Sequence, residues 1–454
     1  MRRLVSLTLV LVIAVCVGAH AQESASSAII GLVTDSTQAS LPGATVTVTQ
    51  VATGAQRVVV TDVEGRFSVP GLRPAAYDVK VELSGFTPAE LKQLTLRNGE
   101  TVRPTLTLSV GTLAEQITVT GETPLLQTAS ASVGQVISEK MIEDLPLNGR
   151  GVLSLTALSA GVTPQAFNRG TQFGAAGSSR NQYVTVEGGR DSSTNYAIDG
   201  VYVRSLRFNN LSLNPPIDAV QEVSLLRNSF STEYGQGQAV VSIVTKSGTN
   251  NLSGSLYEFV RNDKFDARNY FAATKTPFER NQYGFTTGAP VLRNRFFVFG
   301  GYEGLRSTQG RTFLATVPNP AFLSGDFSSL ATPIVDPLTG LPFAGNRIPT
   351  GRFSNFAQTL APTVPPPNNP GTSNYRVVKD FVDNADTATF RADQVLSAEH
   401  SLFQRFMYYD GRQNNPSVFS VTDLPQNGKN LAVGETWVIS VSYTHLTLPT
   451  NREV

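Results

Sequence analysis

The pattern of apolar and polar positions changes character several times along the chain, and each change marks a different kind of β-structure. Between residues 27 and 109, short apolar stretches alternate with turn signals. They predict strands over 29–34, 44–51, 57–61, 66–69, 76–83 and 90–96, punctuated by Gly43, Gly65 and Gly71. That spacing is expected of a β-sandwich. Further on, Ala239-Val240-Val241-Ser242-Ile243-Val244 is nearly unbroken and β-branched, as a strand covered on both faces must be. The turn Lys246-Ser247-Gly248-Thr249-Asn250 follows it. Residues 252–260 then mix Ser, Gly, Leu, Tyr, Glu and Phe in a strand that has to face two environments.

Beyond that point the alternation becomes regular. Tyr283, Phe285, Thr287, Ala289 and Val291 alternate with Gln282, Gly284, Thr286 and Gly288. Ala388, Phe390 and Ala392 alternate with Thr387, Thr389, Arg391 and Asp393, while Trp437, Ile439, Val441 and Tyr443 share one face. A transmembrane barrel presents apolar residues outward and polar ones inward, and a soluble sandwich predicts the same alternation. Between the two β-rich ends, residues 129–250 read as mixed. Short helices are predicted over 137–145 and 151–158, the second with Val152, Leu155 and Leu158 on one face, separated by the breaker Leu145-Pro146-Leu147-Asn148-Gly149-Arg150. Strands are predicted over 184–187 and 196–201 around the turn Gly188-Gly189-Arg190. Pro216 opens a helical stretch over 217–222, followed by a strand over 223–226. Residues 312–375, rich in Pro, Gly, Asn and Ser, read as a long loop outside the membrane.

The first residues set the compartment. Arg2-Arg3, an apolar core from 4 to 17 and Ala19-His20-Ala21 predict a secretory signal peptide with a mature start at Gln22. Cys16 lies inside the apolar core, so the expected mature chain has no cysteine and no disulfide. Loss of Arg2 and Arg3 takes Lys+Arg from 36 to 34 against 35 acidic residues, and a near-neutral chain gives a nucleic-acid role no support. With 38 glycines, 26 prolines, 25 phenylalanines and 13 tyrosines, the composition fits a turn-rich β protein with aromatic surfaces. The only long apolar run is the leader, so any membrane span has to be a barrel.

Several phrases carry a family resemblance. IIGLVTDSTQASLPGATVTV and TDVEGRFSVPGLRPAAYDVKVELSGF resemble the carboxypeptidase regulatory-like domain, a transthyretin-like sandwich. LPLNGRGVLSLTALSAGV, VEGGRDSSTNYAIDGV and SFSTEYGQGQAVVSIVTKSGTN, in that order, resemble the plug of TonB-dependent outer-membrane receptors of the Oar-like type. YEFVRNDKFDARNYFA and PFERNQYGFTTGAPVLRNRFFVFGGYEGLR resemble the start of that family's barrel. The resemblance implies a multidomain, mainly β chain: a transthyretin-like β-sandwich, a small α/β plug domain, then the first strands of an incomplete transmembrane antiparallel β-barrel. Its expected parts are a signal peptide over 1–21, the sandwich over 27–109, a linker over 111–128, the plug over 129–250 and barrel strands over 251–441. Roughly seven or eight strands are expected after Asn250, and residues 442–454 read as a non-native tail.

Candidate sites follow. The extended, β-prone Gln116, Ile117, Thr118, Val119 and Thr120 can add as a strand to a partner's sheet, or can simply close the sandwich. The resemblance makes this segment a candidate TonB box. Arg190, Asp191 and Asp199 are candidates for a polar network between plug and barrel, the alternative being solvated loop charges. Asp380, Asp383 and Asp386 lack the glycine and distal glutamate of a calcium loop. His20 with Glu23 is split by the expected leader cleavage, and Gly235-Gln236-Gly237 lacks the third glycine of a dinucleotide fingerprint. No metal or cofactor is expected. An enzyme reading would rest on His400 and His445, which belong to no cluster. The resemblance therefore implies a nutrient importer in the outer membrane with its N-terminal domain in the periplasm. Its expected partners are the inner-membrane TonB complex, outer-membrane lipid and a siderophore, oligosaccharide or peptide. The alternative is a plugged protein for adhesion, signalling or export.

Overall fold

The computed structural model describes residues 27–111, 117–120, 133–145, 147, 149–165, 183–190, 193–204, 211–227, 237–268, 270 and 274–437. The first unit contains β1 (Ser27–Asp35), β2 (Thr45–Gln50), β3 (Gln56–Val60), β4 (Arg66–Leu72), β5 (Ala75–Glu82), β6 (Phe86–Thr87), β7 (Ala89–Leu96), β8 (Thr101–Val102) and β9 (Thr105–Val110). They form two packed sheets. One runs β4-β1-β9-β6, with β8 also on β1, and the other β7-β5-β2-β3. Alternate residues Ile29, Val33, Val46, Val48, Val79, Val81 and Leu108 meet between the sheets and exclude water. The six strands expected from sequence are present, whereas β9, a short Thr/Leu alternation after Pro104, enters the sandwich through parallel pairing with β1. Strand β10 (Ile117–Thr120) extends the second sheet by pairing parallel to β7, with Ile117 opposite Ala89 and Thr120 opposite Lys92.

The second unit is built on β11 (Val133–Ser138), β12 (Val162–Gln165), β13 (Tyr183–Val186), β14 (Thr194–Ile198), β15 (Val201–Tyr202), β16 (Val220–Arg227) and β17 (Ala239–Thr245). Its main sheet runs β11-β16-β17-β14-β15, and every residue of β17 is buried, as its unbroken apolar run requires. The helix expected over 137–145 is shorter. Ile137 and Ser138 belong to β11, paired with β16, and only α1 (Glu139–Asp144) is helical. A main-chain ladder outweighs the weak propensity of so short a helix. Residues Val152–Leu158 form a 3-10 helix that buries Val152 and Leu155, but Leu158, expected on the same face, is exposed at its end. After Pro216 the helical stretch is a single turn, Ile217–Ala219, because β16 already begins at Val220.

The third unit is a six-stranded antiparallel sheet in which each strand pairs with the next: β18 (Ser253–Asn262), β19 (Phe278–Leu292), β20 (Phe296–Ala315), β21 (Tyr375–Val395), β22 (His400–Pro416) and β23 (Val421–Trp437). Among the described residues after Asn250 there are six strands, and β20 and β21 run to 20 and 21 residues, well past the length needed to cross a bilayer. The two environments expected of 252–260 are present on β18: Tyr257 and Phe259 face Arg150 of the second unit, and Leu256 and Val260 on the other face are exposed.

Register converts the alternation into rows. Outward, Thr287, Gly300, Phe390, Phe406 and Leu431 stand side by side, then Phe285, Tyr302, Ala388, Tyr408 and Lys429. The next row, Tyr283, Gly304, Asp386, Asp410 and Asn427, turns polar, and Arg306 beyond it pairs with Asp386. An apolar band closed by tyrosines and then charge is what a lipid boundary imposes. The turn around Asn294 lies against the sandwich, and residues 316–374 emerge at the other end. That loop has its own order. The Asn346 amide donates to the carbonyls of Phe327, Leu330 and Thr332, and Arg352 grips Asp336 with two hydrogen bonds.

Phe390→Arg would set a guanidinium in the apolar band, at a cost of about 2–4 kcal/mol if it lies near the bilayer centre. In a receptor with its barrel completed, the expected outcome is a lower assembled fraction in lipid vesicles, read from the folded and unfolded bands on an unheated gel, with Thr287→Ser in the same row assembling normally.

Candidate functional site: the seat of the plug

Strands β14 and β15 are joined by the two-residue turn Asp199-Gly200, both with positive φ (49° and 80°). Asp and Gly tolerate that conformation, so the turn is tight and projects the Asp199 carboxylate beyond the sheet. There it meets the barrel wall. Arg391 on β21 and Arg405 on β22 face inward and are register partners, two like charges directly opposite one another. Such a pair is destabilising by itself. Asp199 resolves it: Oδ1 accepts from Arg391 Nη1 at 2.8 Å and Oδ2 from Arg405 Nη1 at 2.9 Å. The Thr245 amide and hydroxyl add bonds to the same carboxylate at 2.9 and 2.8 Å. The three charged side chains are 4%, 3% and 0% exposed. Burial works to raise the Asp199 carboxyl, but the two guanidiniums and Thr245 overcome it and hold it below the usual carboxylate range.

The network continues in both directions. Arg391 Nε donates to Asp393 Oδ2 at 3.0 Å, and Asp393 pairs with Arg73 of the sandwich, whose guanidinium also lies over the Phe403 ring. Arg405 Nη2 donates to Asn430 at 2.6 Å. A charged chain thus runs from sandwich through barrel wall to plug. A second contact lies on the first barrel strands. The Arg150 guanidinium pairs with Asp218 and sits 4.1 Å from the Phe259 ring centroid, while Arg280 donates to the Gly149 carbonyl at 2.9 Å.

The sandwich is held on the plug sheet by hydrogen bonds. Asn98 donates its backbone N–H to Glu222 Oε1 at 2.9 Å, and its side-chain amide to Ser224 Oγ at 3.0 Å and Ser242 Oγ at 2.8 Å. Ser224 and Ser242 are register partners on β16 and β17, so one amide bridges both strands. Gln221 reaches the Pro74 carbonyl, and Asn250 bonds the carbonyls of Ala52 and Thr53. Burial pushes the Glu222 carboxyl up to about 7. The Asn98 N–H and Arg97 favour the charged form, Glu100 opposes it, and burial wins.

Among the sequence candidates, Asp199 lies at the centre of this seat. Arg190 is exposed in its turn, where its carbonyl accepts from Ser193, and it takes no part in the seat. Asp191 and Gln116 lie outside the described residues, as do the leader with Cys16, His20 and Glu23, the stretch Tyr234-Gly235-Gln236, and Ile439, Val441, Tyr443 and His445. Ile117, Thr118, Val119 and Thr120 form the outermost strand of the sandwich sheet. Asp383 is buried inward on β21, while Asp380 and Asp386 sit at outward positions, so the three carboxylates cannot surround one ion. His400 stacks on Trp437 and contacts Glu435. Sequence reasoning placed Arg391 on an inward face but missed Arg405, Arg73 and Asn98. Two arginines at inward positions of neighbouring strands were the available signal.

Comparison with known proteins gives a consistent assignment along the chain. Residues 28–109 match the carboxypeptidase regulatory-like domain, 126–240 the TonB-dependent receptor plug domain and 244–450 an outer membrane beta barrel domain. The TonB-dependent transporter Oar of Myxococcus xanthus is 25% identical over 288 residues, 61% of this chain and 26% of that protein. The match therefore spans about a quarter of that relative's length. Among solved structures, the outer membrane transporter YddB from Escherichia coli aligns over 67% of this chain and 37% of its own, with 13% identity and a TM-score of 0.43. A mutant of the ferric enterobactin receptor PfeA from Pseudomonas aeruginosa aligns over 66% and 38%, with 12% identity and a TM-score of 0.40.

Asp199→Asn leaves the buried Arg405 without its counter-charge and Arg391 with Asp393 alone, a loss of about 3–5 kcal/mol for a buried pair. In a receptor with its barrel completed, the expected outcome is a barrel that still assembles but leaks, measured as single-channel conductance in planar bilayers. A closed, non-conducting variant would show that the seat does not depend on this charge.

The Glu222 shift makes the sandwich joint pH-dependent. Between the carboxyl's ordinary 4.5 and about 7 the docked state holds a proton that the undocked state releases, so docking tightens as pH falls through 7 and loosens as it rises. A shift of that size corresponds to about 3 kcal/mol. Hydrogen exchange at the Asn98 amide, corrected for intrinsic base catalysis, should slow between pH 8 and 6, and Glu222→Gln should abolish the change.

Proposed function

We propose that this chain, which belongs to the TonB-dependent receptors by its regulatory-like, plug and barrel domains, serves import through the outer membrane. It binds a scarce nutrient on the outside, a siderophore, oligosaccharide or peptide. An inner-membrane motor of the TonB type pulls on the segment Gln116 to Thr120 and displaces the plug. The observation that carries this reading is the chemistry of the seat. The plug meets the wall through Asp199, Arg391, Arg405 and Thr245 rather than through apolar surface alone. Charges and hydroxyls that are satisfied by the wall can be satisfied by water once the plug shifts, so the contact is closed at rest and can be remade. An apolar seat of equal area would hold more permanently.

The motor's proposed grip is supported by the position of β10. It is the last strand of its sheet among the described residues, so one edge of its backbone is open to a further strand. Outer-membrane lipid is the other expected partner, along the apolar rows of β19 to β23.

Proline at Val119 removes a ladder hydrogen bond and fixes the backbone, whereas alanine spares the main chain. Val119→Pro should weaken binding of the motor's purified periplasmic domain about tenfold or more, the equivalent of one to two hydrogen bonds, with Val119→Ala close to the parent. Binding that is equal in all three proteins would place the coupling elsewhere.

A further inference from the structure

We propose that the sandwich is a second closure on the periplasmic side of the passage, one that lifts off the plug sheet before the plug itself moves. This rests on the motor reading above and adds an order of events to it. The argument begins with what the sandwich covers. Glu222, Ser224 and Ser242 are 7%, 0% and 2% exposed, and all three bond Asn98 of the sandwich. The polar underside of the plug sheet is thus closed by one loop of another domain.

The joint is built to part. Its bonds join neutral amides, hydroxyls and carbonyls, with Glu222 the exception, and all can return to water when the surfaces separate. Among the described residues, the ion pair that reaches the sandwich, Arg73 with Asp393, is 36% and 11% exposed, whereas Arg391, Asp199 and Arg405 in the plug seat are at most 4% exposed. Solvent reaches the first from its arginine side and screens it in part, and does not reach the second. Interfaces between domains that move are polar in this way, and permanent ones are apolar.

Force enters on the sandwich side. Ile117 to Thr120 are laddered to Ala89, Glu90, Leu91 and Lys92 of β7, and β7 is itself paired to β5 within the sandwich. A pull on β10 loads the sandwich through that ladder, and the joint at Asn98 and Arg73, made of mostly neutral hydrogen bonds and one partly exposed ion pair, lies next in line. The Asp199 seat, with its fully buried ion pairs, is loaded only after that joint gives way.

Thiol labelling tests the order without any knowledge of the nutrient. Cys16 is this chain's single cysteine and lies in the expected leader, so labelling of the unsubstituted receptor gives the background against which a thiol placed in this chain is read. Ser242→Cys replaces one oxygen by sulfur under the sandwich, Asn98→Cys probes the other side of the joint, and Val63→Cys is an 88% exposed control. Each full-length receptor is treated in cells with N-ethylmaleimide, with the inner membrane energised and after addition of a protonophore. In de-energised cells, positions 98 and 242 should react about tenfold or more slower than position 63, and energising should raise both by about fivefold or more while leaving position 63 unchanged.

Position 242 remaining protected in energised cells would overturn the proposal, and so would reaction at the rate of position 63 in both states. Binding of the motor domain to the same receptors separates the causes. Binding with continued protection means that sandwich and plug move as one body and the motor reading stands. Absence of binding with continued protection removes both. Should Asn98→Cys disturb docking by itself, the near-isosteric Ser242→Cys decides.

Discussion

Arg391 and Arg405 stand side by side on neighbouring strands of a membrane wall, and that juxtaposition is tolerable only while an anion lies between them. Asp199 is that anion, and the rest of the architecture can be traced from it. The Asp-Gly turn exists to project one carboxylate, and β14 and β17 are fixed in parallel register beneath it. Thr245, at the end of the buried strand β17, donates to Asp199 from its amide and hydroxyl, while its oxygens accept from Arg391. Plug and barrel therefore complete one another electrostatically. The wall has an excess of positive charge at this row, and the plug supplies the negative charge.

The same strands answer to two solvents at once. On β21, inward Thr387, Thr389, Arg391 and Asp393 serve the plug and the sandwich, while outward Ala388 and Phe390 serve lipid. The two-residue period of a strand makes this separation automatic, and a one-residue slip would exchange every partner. Long ladders guard against it: β20 and β21 are paired from Phe296 opposite Gln394 to Ala315 opposite Tyr375. Barrel strands that overshoot the apolar band thus hold register for the inner face as well as carrying the loop outside.

Much of this was legible in the chain. The turn signals of the sandwich, the apolar run of β17 and the alternation of β19 and β21 are local patterns, and local patterns are what a sequence displays. The signal for Asp199 was weaker. Its loop charges pointed to a polar network, and the arginine grouped with it, Arg190, takes no part in the seat because it remains on the surface. The true partners lie 192 and 206 positions away and become neighbours only through barrel register. Asn98 was invisible for the same reason, since its role depends on where two serines of different strands fall when a separate domain is docked. Ile137 failed in the other direction. A helical period was present, but six ladder partners on β16 outweighed it.

Glu222 and Asp199 show how partners, rather than burial, decide what a carboxylate does. Both belong to the plug sheet region and both are removed from solvent. Asp199 has two guanidiniums and stays charged with ease, whereas Glu222 has one backbone amide, an arginine and a nearby glutamate, and its proton affinity rises to about 7. The first joint is electrically settled at any pH the cell meets, and the second changes its proton occupancy near neutrality. The order of release proposed above needs that difference in firmness. The chain obtains it with the same residue chemistry by giving one carboxylate two cations and leaving the other nearly alone.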